Sequence, residues 1–218
     1  MALSVFDYRV DVRNIFVSSA MRSRFLKFEA GTISGRHSHD LGHEIFIVMS
    51  GRGEFEIDGE KAELGPGQAC IARRDQHHTV RVLGDEPMTI YLSVTPHIQP
   101  THTMWTGDGW ADDSVKLPHR FVPNSAYDVE ADTSTPTLEL LKRCLAASDE
   151  VTAAVLECNA RQNELVSGYI SAMEVGSKIS AIKARDAIWD LAFRVLKSVD
   201  DWGEIWNSFA ARSADENS

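Results

Sequence analysis

The stretch Gly31-Thr32-Ile33-Ser34-Gly35-Arg36-His37-Ser38-His39-Asp40-Leu41-Gly42-His43-Glu44-Ile45-Phe46-Ile47-Val48-Met49-Ser50-Gly51 carries the densest chemical signal in the chain. His37 and His39 stand at i and i+2, so on a strand both project from one face with their backbones about 6.5 Å apart. Two imidazoles at that spacing can converge on one ion. Glu44 opens the next apolar run and faces the same interior, and His77-His78 later bring back another imidazole. Three histidines and one carboxylate can therefore meet without any helix. Such a set suits one divalent transition metal per chain (Fe, Mn, Ni, Cu or Zn) and leaves positions open on an octahedral ion. His43 and His77 adjoin assigned positions, and because strand neighbours alternate faces, each should point away from its ligating neighbour.

Around this stretch the hydrophobic period is that of strands. Residues 22–30, 44–50, 53–58, 68–73, 77–83 and 88–95 are short runs rich in β-branched and aromatic side chains, separated by Gly, Asp or Pro. Glu54-Phe55-Glu56-Ile57-Asp58 alternates strictly, and Asp58-Gly59 is a two-residue hairpin signal before Glu60-Lys61-Ala62-Glu63-Leu64. Regularly spaced short strands of this kind predict an all-β sandwich or barrel. The pattern dissolves between residues 101 and 135 into a long loop or lid, where Trp105 and Trp110 either cover a barrel mouth, with Gly107 and Gly109 as hinges, or pin the loop to the helices. From Thr137 the period becomes helical, in three segments. Leu138, Leu140, Leu141 and Leu145 lie in the first; Val151, Val155, Cys158, Leu165 and Ile170 follow a start at Ser148-Asp149-Glu150. Ile188, Leu191, Ala192, Val195, Leu196 and Val199 share one apolar face of the third. The expected organisation is a β-barrel over residues 1–100, a loop or lid over 101–135, and a helical extension over 136–213 that packs on the barrel or on a dimer partner.

The histidine-rich stretch resembles the first motif of the metal-binding cupin superfamily, Gly-x5-His-x-His-x4-Glu-x6-Gly, with Gly31, His37, His39, Glu44 and Gly51 at every specified position. The second cupin motif is matched in part: Gly67 and His78 keep its separation, while Arg73, Asp75 and Val82 replace its Pro, Gly and Asn. The resemblance covers about residues 22 to 96. It implies an antiparallel jelly-roll β-barrel, mainly β with a helical appendage, holding a metal on His37, His39, Glu44 and His78. Homodimerisation is a further implication of the resemblance.

Three other residues are candidates for the chemistry around that metal. Tyr91, on the last expected barrel strand, offers a phenol as acid, base or hydrogen-bond donor, and is the candidate catalytic residue. Arg73 suits a carboxylate-bearing substrate through a bidentate pair. Phe46 is a core position that also stands as a candidate substrate contact. His97, His102 and His119 lie in or near the long loop and are expected to face solvent.

The 218 residues have 43% hydrophobic and 25% charged side chains, enough for one sizeable core with an appendage. A formal charge of −10 leaves no cationic footprint for nucleic acid or an anionic membrane surface, so a small-molecule substrate is the expected partner. The opening residues lack the basic and apolar regions of a signal peptide, and a cytoplasmic location is expected. Cys70, Cys144 and Cys158 show no CxxC pairing and read as buried thiols rather than a disulfide framework. The cupin-like site implies a metal-dependent enzyme, with a dioxygenase acting on a small anionic or hydroxylated substrate leading. A lyase or isomerase using the metal as Lewis acid is the alternative, and a non-catalytic ligand-binding sensor barrel is the second. The stretch also looks like the effector barrel of arabinose-regulator-type transcription factors, but the helical region offers no basic helix-turn-helix pair.

Overall fold

The structure is a computed structural model that describes residues 3–106, 115–116 (backbone), 121–129 and 132–216. Eleven strands are present among them: β1 (Asn14–Val17), β2 (Arg22–Phe28), β3 (His37–Ser38), β4 (His43–Ser50), β5 (Gly53–Ile57), β6 (Glu60–Leu64), β7 (Ala69–Ala72), β8 (His78–Val82), β9 (Met88–Thr95), β10 (Thr103–Thr106) and β11 (Val115–Lys116). Two long helices follow, α1 (Thr137–Glu174) and α2 (Lys178–Glu216). The strands form two antiparallel sheets in the orders β1-β2-β9-β4-β7 and β11-β10-β3-β8-β5-β6, the expected jelly roll.

Period-2 alternation explains the core. On β4, Phe46 and Val48 turn inward beside Leu92 and Ile90 of β9, while Phe55 of β5 and Val80 and Val82 of β8 come from the other sheet. These residues, with Leu64, Met88 and Val94, make one continuous apolar cluster between the sheets. The β5–β6 hairpin turns on Asp58 and Gly59, both at positive φ (47° and 86°), the geometry a two-residue turn needs to match strand twist. Gly51, which closes the histidine-rich stretch, sits at φ +74°, and a Cβ there would lie 2.5 Å from the Pro87 carbonyl oxygen and 2.7 Å from Met88 Cα.

The segment expected to be a loop from residue 101 begins as a strand. β10 pairs antiparallel with β3, Thr103 opposite Ser38 and Met104 opposite His37. The Thr103 hydroxyl donates to Asp40 at 2.7 Å and the Trp105 indole N–H to the Ser38 hydroxyl at 2.9 Å. Trp105 is thus pinned to a sheet rather than free as a lid. Trp110, Gly107, Gly109 and His119 lie outside the described residues.

The helical part differs from expectation in having two helices rather than three. Ser148, Asp149 and Glu150 do not start a helix; they lie inside α1, because no Gly or Pro interrupts residues 137–167 and exposed Ser and Asp cost a helix interior only tenths of a kcal/mol, about 0.5 each. α1 stops at Gly176, φ +70°, where the Gly176 N–H bonds the Met173 carbonyl and the Ser177 N–H bonds that of Ala172. By compactness the chain divides into one unit of residues 1–134 with 210–218 and a second of 135–209. Within the second, Trp202 donates its indole N–H to Cys144 Sγ at 3.3 Å, and Arg194 pairs with Glu157 at 2.6 Å. Leu191 is buried there, whereas Leu196 and Val199, expected on the same face, are exposed. No described helix is long and apolar enough to cross a membrane.

Replacing Gly51 with alanine is expected to cost at least about 2 kcal/mol, since the positive φ and a backbone clash act together. A urea titration of the barrel's near-UV signal measures it; an unchanged midpoint contradicts the packing described at this turn.

Candidate metal centre

Strand pairing assembles the cluster. β3 pairs with β8 so that His37 lies directly opposite His78. Glu44 is the first inward residue of β4, opposite Ala72 and Val94 on its two neighbours. His39 follows β3, and its carbonyl accepts the Asp75 N–H at 2.9 Å, which ties it to the β7–β8 turn. One ligand atom from each of His37, His39, Glu44 and His78 lies within 4.8 Å of the other three. The four residues singled out in the sequence are therefore brought together, and His39, Glu44 and His78 are almost wholly buried.

The hydrogen bonds decide what the cluster can hold. His37 Nδ1 lies 2.9 Å from the Gly35 carbonyl, His39 Nδ1 2.6 Å from that of Thr101, and His78 Nδ1 2.9 Å from that of Gln76. A carbonyl oxygen can only accept, so each Nδ1 carries a proton and each Nε2 is turned towards the carboxylate. All three Nε2 atoms converge on one carboxylate oxygen: Glu44 Oε2 lies 3.0 Å from His39 Nε2, 2.9 Å from His78 Nε2 and 3.8 Å from His37 Nε2, and the last two nitrogens are 3.1 Å apart. Nitrogens and carboxylate this close need a cation among them, a metal ion or a proton on an Nε2. Neighbouring ligands on an octahedral ion with bonds of about 2.1 Å are about 3.0 Å apart, which matches three of these four separations. The residues present fit a divalent metal.

Electrostatics point the same way. Burial alone would push the Glu44 carboxyl up, but contacts with His37, His39 and His78 outweigh it and hold it well below the usual carboxylate range. His78 is pushed down, chiefly by burial. Both keep the forms a metal needs, carboxylate and neutral imidazole.

The flanking histidines point elsewhere. His43 is exposed and accepts the Arg74 N–H on Nδ1 at 3.0 Å, and the His77 ring stacks on Trp105 at 4.3 Å. Three other candidates take other places. Tyr91 lies on β9 between Phe25 and Ile47, the face opposite the inward Leu92 and Ile90, and its hydroxyl donates to Ser23 at 3.1 Å; alternation turns it away from the metal cluster. Arg73 is exposed in the β7–β8 turn, where its N–H bonds the Gln76 side chain, one position past the inward Ala72. Phe46 is core, packed against Phe55 and, at 5.7 Å between ring centres, beneath His78; it floors the cluster rather than meeting a ligand.

Sequence reasoning missed residues that do reach the site. His102, expected in solvent, lies 4.9 Å from the His37 ring and 4.8 Å from that of His39, with burial pushing its pKa down to about 2. Its signal was the β-branched run Thr101-His102-Thr103-Met104-Trp105-Thr106, a strand pattern hidden at the edge of a Gly-rich stretch. Arg22 and Arg24 line the same cavity with Asn14, His37, His102 and Tyr127, in a volume of about 330 Å³. Their signal was period 2: they fall on the face of Leu26 and Phe28.

The cupin domain family matches residues 24–95. This part of the chain is a cupin domain. No curated protein sequence matches the chain. Among solved structures, an uncharacterized conserved protein with a double-stranded beta-helix domain from Klebsiella pneumoniae is 20% identical, the match covering 47% of this chain and 97% of that one at a TM-score of 0.44. KdgF from Halomonas sp. is 26% identical over 40% of this chain and 79% of its own, TM-score 0.37. A salicylate 1,2-dioxygenase from Pseudaminobacter salicylatoxidans is 18% identical over 35% and 21%, TM-score 0.33.

His97 gives the cupin domain a readable pH dependence. The ring is buried near Arg22 and within 3.3 Å of the Tyr127 hydroxyl, and burial first, then the Arg22 charge, bring its pKa down to about 3. The unfolded chain takes up that proton near 6.5, so the stabilisation is complete above pH 6.5 and is lost as pH falls towards 3. Between pH 7 and 5 the His97→Asn variant should lose less stability than the parent, by up to about 2 kcal/mol. Urea unfolding at the two pH values checks this; equal losses contradict it.

Proposed function

We propose that this cupin is a metal-dependent oxidoreductase, a dioxygenase that adds both atoms of dioxygen to a small anionic organic substrate. The observation that carries the reading is the orientation of three imidazoles, each held through Nδ1 by a backbone carbonyl so that Nε2 faces the Glu44 carboxylate. His37, His39, Glu44 and His78 would hold one divalent transition metal. When bound, that metal supplies Lewis acidity and the redox chemistry dioxygen needs.

The chain's own residues position the reactants and exclude water. Phe46 and Phe55 close the cluster from the core side and leave access through the cavity lined by His37 and His102. Apart from the imidazoles of His37 and His102 and the Tyr127 hydroxyl, which burial makes a weaker acid, the described lining of that cavity carries no carboxyl or ammonium group to shuttle a proton. Tyr91, the phenol that a lyase or isomerase would use, faces away. Both points favour oxidation over protein acid–base chemistry. Addition of both oxygen atoms to the substrate balances without an external reductant.

Protein purified without chelator or affinity nickel should carry close to one transition metal per chain by elemental analysis. The His39→Ala variant should lose about tenfold or more of it. Oxygen uptake should appear with small carboxylates in the parent and vanish in the variant. Equal metal contents sink the assignment of ligands, and turnover of a carboxylate under strict anaerobiosis moves the reaction to the lyase class.

A further inference from the structure

Two cations lie inside the cupin barrel with no ion pair to any described residue. Arg22 and Arg24 stand at i and i+2 on β2, and the register puts Arg22 beside Val94, which is itself beside Glu44; Arg24 lies beside Leu92, itself beside Phe46. Residues aligned across a sheet share a face, so both arginines enter the interior that holds Glu44. Two strand spacings separate the backbones of Arg22 and Glu44, about 10 Å. The side chains therefore rise into the interior from one wall, two strands apart.

Neither guanidinium makes an ion pair or hydrogen bond with a described residue, and both Nε atoms are buried without a partner. Arg22 is only 6% exposed. A lysine or histidine so placed could shed its proton, but arginine does not, and an unpaired buried charge is expensive. Burial, then the neighbouring Arg22 charge, pulls Arg24 below its usual range. The carboxylate that most offsets this is Asp128, an exposed residue whose Oδ2 already accepts the Asn14 N–H at 3.1 Å. Asn14, the next strand neighbour of Arg24, is buried with its own Oδ1 unpartnered.

We propose that Arg22 and Arg24 form an anion anchor facing the metal centre, and that the substrate class is small dicarboxylates, one carboxylate on the arginine pair and the other end directed to the His37, His39, Glu44 and His78 cluster. The far end of this arrangement rests on the metal assignment above; the near end rests on the arginines alone. Charge supports a dianion. A divalent ion on neutral imidazoles and Glu44 retains one positive charge, the two arginines add two, Asp128 removes one, and two negative charges complete the balance. Size agrees, since about 330 Å³ accommodates a molecule of about ten non-hydrogen atoms. The planar fork of each guanidinium suits a carboxylate bound through both oxygens.

Calorimetric titration of the full chain, metal-loaded and metal-free, with malonate, succinate and 2-oxoglutarate, and with malonamide and succinamide as neutral counterparts, tests this. At least one dicarboxylate should bind the metal-loaded parent tenfold or more tightly than the diamides do. Arg24→Gln should weaken that binding tenfold or more without changing metal content, and Arg24→Lys should restore part of it. Arg22→Lys, which keeps the charge but not the fork, should fall between parent and Arg24→Gln, and melting curves identify any variant that has not folded. Dicarboxylates that do not bind, bind no better than the diamides, or bind folded Arg24→Gln and Arg22→Lys as they bind the parent overturn the anchor, even if metal is retained. Arginine-dependent binding to a chain that takes up no metal keeps the anchor and removes the metal assignment.

Discussion

The Glu44 carboxylate, buried with three imidazole nitrogens aimed at it, is the constraint on which the rest of the site depends. A carboxylate taken from water into an apolar interior costs several kcal/mol, on the order of 5, unless positive charge meets it. The three nearest rings cannot supply that charge while neutral, because their Nδ1 protons are committed to the carbonyls of Gly35, Thr101 and Gln76. A cation among these atoms, a metal ion or a proton on an Nε2, relieves the cluster. Those carbonyls belong to loops beside β3, β8 and β10, so the orientation of the ligands is set by backbone and not by mobile side chains.

The same strand registers give the barrel a polar end and an apolar end. Along the inward face of β4 the order is Glu44, Phe46, Val48; along β8 it is His78, Val80, Val82; along β2 it is Arg22, Arg24, Leu26, Phe28. Antiparallel pairing aligns these gradients, so chemistry gathers at one end while the apolar cluster fills the other. Packing of Phe46 beneath His78 joins the two ends: the residues that stabilise the sheets also hold a ligand in place. A one-residue slip of β4 would send Glu44 to the outer face and bring His43 inward, which is why the core and the site share one register.

Much of this was legible in the chain. Period-2 runs, the Asp58-Gly59 turn and the His37, His39, Glu44 pattern are local signals, and alternation was enough to turn His43 and His77 outward. The failures have a common cause. Tyr91, Arg73 and Phe46 were assigned by chemistry without the face on which each strand residue lands; His97 and His102 were assigned to solvent because their surroundings in sequence are polar, although His97 is buried beside Tyr127 and His102 is half-buried beside His37 and His39. Ser148-Asp149-Glu150 reads as a helix start only if the neighbouring residues stop being helical, and nothing in that stretch breaks α1.

The sequence by itself determined the strand and helix periods, the ligand types and their spacing, because these depend on contacts within a few residues. Only the tertiary structure decided which side chains meet. Arg22 lies fifteen residues from His37 in sequence, yet the pairing of β2 with β9, and of β9 with β4, places it on the inner face shared with Glu44. Such a juxtaposition depends on sheet order, which many distant hydrogen bonds establish together and no local pattern encodes.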